Sequence, residues 1–298
     1  MFVVTYRKFF YALSALLLAS SIAAMAVWGL NLGIDFKGGS IIEVEYEGNR
    51  PAQTELVTAL TPLNLEASVR ATGENGYLIR MKDITPEEKT TLVNVLNQFG
   101  VNAEKRFDSI GPVLGSEALK KSILSIILVI VAIILFIAYA FRKVSEPISS
   151  WKYGFVAIVA LLHDVIIPTG VFAALGHFRG YEIDTLFITA LLVILGFSVH
   201  DTIVVFDRVR ENLKNSTTKK SFDLLVGESI RSTFTRSINT SLTTVLSLVV
   251  LYFVGGPATE HFALALIIGM LVGTYSSIFV GSPLLVTLQK WQEKKGKK

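Results

Sequence analysis

The chain has 298 residues, 51% of them hydrophobic and only 17% charged, against roughly 25% charged residues in ordinary soluble domains; this shortage of charge points to lipid as a solvent. It contains no cysteine, which excludes disulfides, thiolate metal sites and cysteine nucleophiles. The net charge of +4 is a weak pointer to nucleic acid, and it loses its force because the basic residues gather in a few short loops, where membrane topology accounts for them.

Six apolar stretches follow one another: roughly Phe9–Leu30, Ser122–Phe141, Tyr153–Leu175, Thr185–Phe206, Ser237–Val254 and Phe262–Leu285. Each is long enough to cross a hydrocarbon core of about 30 Å at about 1.5 Å of rise per residue. The first follows Arg7 and Lys8 and holds small residues around 23–26, as a signal peptide does. Its apolar run exceeds a typical h-region, so it reads as an uncleaved anchor.

Between the first two stretches, residues 31–121 carry 13 acidic and 10 basic residues and have the character of a soluble domain. Ile41–Glu47 alternates apolar and charged residues like a half-buried strand, and Pro51–Leu60 reads as a helix with proline at its start. Leu65–Ala71 and Tyr77–Lys82 are predicted strands joined by the turn Gly73-Glu74-Asn75-Gly76. Thr85-Pro86-Glu87-Glu88 has the spacing of a capping box and opens a helix to about Phe99; Gly100 ends it and Val101–Phe107 supplies a last strand. The order β-α-β-β-α-β predicts a ferredoxin-like α+β domain. The expected division is therefore a first span over 1–30, the α+β domain over 31–121, five further spans over 122–285 and a basic tail over 286–298.

Orientation follows from lysine and arginine, which favour short cytoplasmic loops. One side holds Arg7 and Lys8, then Arg142, Lys143 and Lys152, then Arg208, Arg210, Lys214, Lys219, Lys220, Arg231 and Arg236, then Lys290, Lys294, Lys295, Lys297 and Lys298. The short loops opposite, 176–184 and 255–261, contribute only Arg179. Both termini are expected in the cytoplasm and the α+β domain outside. Within the basic loop 207–236, Phe222, Leu225, Val226, Ser229, Ile230 and Phe234 share one helical face, which suits an amphipathic helix on the cytoplasmic surface or a packed linker helix.

Ionisable residues inside spans are costly, at least about 2.5 to 3.5 kcal/mol for a charge near the bilayer centre, and so mark function. Span three contains His163-Asp164 and span four His200-Asp201. Arg236 opens span five on the side where span four ends, so it and Asp201 share a depth and could pair; Asn239, Thr240, Thr243 and Ser247 continue a polar line from it. Such a pair could load and release a proton, or be a static ion pair holding helices together. A metal site is disfavoured, because neighbouring residues on a helix point about 100° apart and no third histidine or cysteine joins the spans. Gly196-Phe197-Ser198 lacks the second glycine of a nucleophile elbow. In span six Gly269, Gly273, Ser277 and Gly281 recur every four residues, a small-residue stripe for close packing inside the bundle or against a second subunit.

Four segments together resemble the SecF family of protein-export subunits: Gly33-Ile34-Asp35-Phe36-Lys37-Gly38-Gly39, the run Asp201-Thr202-Ile203-Val204-Val205-Phe206-Asp207-Arg208-Val209-Arg210-Glu211-Asn212, Arg236-Ser237-Ile238-Asn239-Thr240-Ser241, and Gly255-Gly256-Pro257. The resemblance implies a bacterial plasma-membrane subunit, without cofactor or enzymatic activity. It also implies a SecD-like partner in a heterodimer, work beside the SecYEG channel with YajC as a further associate, and unfolded secretory proteins as clients driven by the proton-motive force. Kinship with resistance-nodulation-division transporters is implied too, in which two six-span halves form one bundle. Carried over, the proton-path aspartate matches Asp201 and the arginine Arg236, with His163, Asp164 and His200 beside them; Asp35, Gly38 and Gly39 match the membrane-proximal base of the outer domain. A proton-coupled small-molecule efflux half and a passive scaffold of an export complex are the alternative functions.

Overall fold

The computed structural model describes residues 2–48, 50–100, 102–142, 150–215 and 220–296; Val101, Lys143, Lys219, Lys297 and Lys298, named above, lie outside them. Helix α1 (Phe2–Thr5) leads into α2 (Arg7–Trp28), and a single turn α3 (Ile34–Lys37) into strand β1 (Gly39–Tyr46). Then come α4 (Gln53–Leu60), β2 (Ser68–Thr72), β3 (Gly76–Met81), α5 (Pro86–Asn97) and β4 (Asn102–Ile110). The rest is helical: α6 (Pro112–Ala140), α7 (Ser150–Arg179), α8 (Thr185–Asn215), α9 (Phe222–Val254), α10 (Pro257–Tyr275), a π-helical segment (Ser276–Gly281) and α11 (Ser282–Gly296). Two compact units result, Leu32–Ile123 and Met1–Asn31 with Leu124–Lys298.

The smaller unit is a four-stranded antiparallel sheet in the order β2-β3-β1-β4. Side chains alternate across a strand, so Ile42, Val44 and Tyr46 of β1 share a buried face with Tyr77, Ile79 and Met81 of β3, and Leu56 and Leu60 of α4 with Leu92 and Leu96 of α5 close over it. The capping box forms as predicted: Thr85 N–H donates to Glu88 Oε2 at 2.9 Å and Glu88 N–H to Thr85 Oγ1 at 3.3 Å. Gly38 and Gly39 take φ of +78° and +133°. A Cβ on Gly38 would stand 2.6 Å from Pro112 Cα, and one on Gly39 2.7 Å from Met81 O. The backbone thus meets the first turn of α6 at Gly38 and the end of β3 at Gly39, and only glycine fits at either position.

Among the described residues, six helices are long and apolar enough to cross a membrane. α7 and α8 are central; α6 leaves Ile123, Leu124, Leu128 and Leu135 exposed, as a helix facing lipid does. α2 lies on α7 where Gly170 leaves no room for a Cβ, which would sit 2.3 Å from Ser21 Cβ. The segment 207–236 differs from the surface-lying alternative. α8 runs on to Asn215 and α9 is one helix from Phe222, because Phe222, Val226 and Ile230 turn into the same core as Phe206 and Val209. Asn212 Nδ2 donates to Ser229 Oγ at 2.8 Å across the two helices.

Candidate functional site

Asp164 of α7 is fully buried and its carboxylate is surrounded by donors. Ser276 Oγ of the π-helical segment donates to Oδ2 at 2.8 Å and Ser198 Oγ of α8 donates to the same oxygen. His163 Nδ1 lies 2.9 Å from Oδ1, and it is the donor of that bond whenever the carboxylate is ionised, because a carboxylate only accepts. His163 Nε2 is buried without a hydrogen-bond partner, and the ring stacks on Tyr275 with centroids 6.1 Å apart. The polar chain continues along α8: Thr202 and Ser277 hydroxyls meet at 2.9 Å.

Asp201 is only 2% exposed, but on another face of α8. Its Oδ2, like Ser237 Oγ of α9, is buried without a hydrogen-bond partner. The expected ion pair with Arg236 is absent: Arg236 and His200 are exposed on the flank of the bundle. Helical geometry explains this, since adjacent side chains diverge by about 100° and the inward face of α9 is Ser229, Thr233, Ser237 and Ser241. The line Asn239, Thr243 and Ser247 is likewise exposed, with Thr240 half-buried. It does not support Asp201; Thr243 and Ser247 hydroxyls donate to carbonyls of their own helix. Sequence reasoning missed Ser198, Thr202, Ser237, Tyr275 and Ser276. The spacing of four in Ser229, Thr233, Ser237 and Ser241 was the available signal, one residue out of step with the line chosen.

The small-residue stripe packs inside the bundle. A Cβ on Gly269 would stand 2.1 Å from Ile194 Cδ1 of α8, and one on Gly273 3.2 Å from Ser198 Cβ; Ser277 and Gly281 fall in the π-helical segment. Asp35 lies in α3 before the glycine pair. No group of three or more His, Cys, Asp or Glu able to hold a metal occurs among the described residues.

Six apolar helices, two buried aspartates within them and an antiparallel sheet unit define a multi-pass α-helical membrane protein. Residues 91–291 match the C-terminal family of the SecD/SecF protein export membrane proteins and residues 23–49 the SecD/SecF GG motif. The chain belongs to the SecF family of protein translocase subunits. It is 43% identical to the SecF subunit of Thermobaculum terrenum over 98% of this chain and 94% of that protein, and 39% identical to that of Anaerolinea thermophila over 94% and 91%. A solved structure of SecDF, a translocon-associated membrane protein from Thermus thermophilus, superposes with a TM-score of 0.83 at 31% identity. The match takes in 96% of this chain and 38% of that one.

Proposed function

We propose that the chain is a SecF-type subunit that, with a SecD-like partner, assists SecYEG-dependent export of unfolded proteins across the bacterial plasma membrane at the expense of the proton-motive force. The observation that carries this is Asp201: a buried carboxylate with an unpartnered oxygen beside an uncovered flank bearing His200 and Arg236. A lone carboxyl inside a membrane bundle is a place to hold a proton, and one charge crossing 100 mV carries about 2.3 kcal/mol, enough to bias a conformational equilibrium. Arg236 and the exposed line Asn239, Thr243 and Ser247 are costly against lipid, which supports a second set of helices covering them; the larger size of the solved SecDF chain, of which this one matches 38%, supports the same reading. The names of the relatives favour export over small-molecule efflux.

Both termini lie in the cytoplasm in this reading, by the lysine and arginine bias, and the sheet unit lies outside. Its ferredoxin-like character is supported by the element order β-α-β-β-α-β and the strand order β2-β3-β1-β4. YajC is a further associate, and Asp35, Gly38 and Gly39 form the base of the outer unit. Asp201→Asn tests the core of the proposal. It keeps volume and removes titration, so the variant inserts and co-purifies with its partner while gradient-dependent stimulation of precursor translocation into vesicles is lost. Translocation at the normal rate under a required proton gradient would remove Asp201 from the path.

A further inference from the structure

The last membrane-crossing helix is not α-helical throughout. From Ser276 to Gly281 it widens to a π-helix, with Ser282 N–H donating to Ser277 O. Such turns are rare and concentrate at functional sites. Here two consecutive residues of the wide turn are tied to neighbouring helices: Ser276 to Asp164, and Ser277 to Thr202 at 2.9 Å. We propose that Asp164 is a second proton-binding site, separate from Asp201, and that its proton decides whether the π-helical turn of the last span is held or released.

The chemistry is a matter of donors and acceptors. An ionised carboxylate only accepts, and Asp164 accepts at both oxygens, from His163 Nδ1 on Oδ1 and from Ser198 and Ser276 on Oδ2. A proton added to Oδ2 turns that oxygen into a donor, and it can no longer serve two hydroxyls. Ser276 is the one with an alternative, since its Oγ already lies 3.0 Å from Gly273 O in its own helix. Ser276 therefore lets go, and the wide turn loses its tie to α7. Among the described residues the other groups set against this stretch are uncharged: Ser198 from α8, Ser276 itself, Tyr275 of α10 with its hydroxyl near Ser14 of α2. α11 meets α7 farther along, where Lys152 bonds Gln292.

The inference rests on the proton-coupled reading for its trigger only; the register of the last span can be read directly. Because the chain has no cysteine, Leu271→Cys and Trp291→Cys, each 55% exposed on either side of the wide turn, can carry spin labels in the full chain with its partner in nanodiscs. Loss of one extra residue from a turn rotates the following helix by about 100°, so pulsed-EPR distances are expected to show a second population that grows as the pH is lowered. Asp164→Asn should give the low-pH distance at every pH, and Ser276→Ala, which removes a single hydroxyl, should do the same if Asp164→Asn fails to insert. Asp201→Asn should leave the pH response in place. One unchanging distance in the wild type and both variants would overturn the proposal, as would a response lost with Asp201→Asn and kept with Asp164→Asn. Normal export by Asp201→Asn would instead overturn the proton-path assignment and leave this site standing.

Discussion

Two faces of α8 treat their polar groups in opposite ways. Towards α7 and the last span, Ser198 and Thr202 find partners in Asp164 and Ser277, and Asp164 in turn accepts from three side chains. Towards α9, Asp201 Oδ2 and Ser237 Oγ are buried without partners, and Arg236 stands uncovered beside them. Buried polar groups in finished protein interiors are almost always hydrogen-bonded. The first face is thus satisfied within this chain while Asp164 is ionised, apart from His163 Nε2, whereas the second has no such set of partners and is arranged for something that comes from outside: a proton, water or a partner's helices.

This contrast can be tested by substitution. The largest effect is expected from Gly269→Leu, which forces bulk into Ile194 where even a Cβ would stand 2.1 Å away. Overpacking costs about 1–3 kcal/mol and more where the backbone cannot move, so the closed face should fail to assemble, seen as loss of protease-resistant protein in membranes. Next comes Ser276→Ala, which takes a donor from a buried carboxylate and should lower the stability of the helical unit by about 1.5–3 kcal/mol in detergent unfolding.

On the open face the expectation is a weak response. A double-mutant cycle of Asp201→Asn with Arg236→Met on this chain alone should be additive within about 0.5 kcal/mol, since no ion pair joins the two. The corresponding cycle of Asp164→Asn with Ser276→Ala should couple above that. Strong coupling in the first cycle would mean that the open face closes on itself. The smallest effect belongs to the sheet unit, where Thr85→Ala removes a helix cap worth about 1 kcal/mol. There Thr85 N–H, donating to Glu88, holds that carboxyl below the usual range. Its contribution is therefore full above the ordinary glutamate range near about pH 4.3 and is lost as pH falls through the lower folded value. Hydrogen exchange of the first-turn amides of α5 against pH should show protection declining only in that acid window.

Much of this was legible in one dimension. Local rules reached the capping box at Thr85, the turn at 73–76 and the glycine pair at 38–39, because caps, turns and positive φ are set by residues adjacent in the chain. The six spans were legible because about 20 apolar residues in a row have few other uses. Asp164 and Asp201 stood out because charge inside an apolar run is expensive wherever the helix ends up pointing.

What the sequence by itself determined was therefore which segments enter the membrane and which residues are costly there. Which of those residues meet was decided only by the tertiary structure. Arg236 and Ser237 are neighbours in the chain, yet one is exposed and the other buried against Asp201's helix. A step of about 100° per residue separates an inward from an outward side chain, and α9 carries polar residues on its inward and its outward face alike, so two polar lines compete in the sequence. The seating of α9 on α8 and of Gly269 on Ile194 sets that rotation. It gave Asp164 its two serine donors and left Asp201 open.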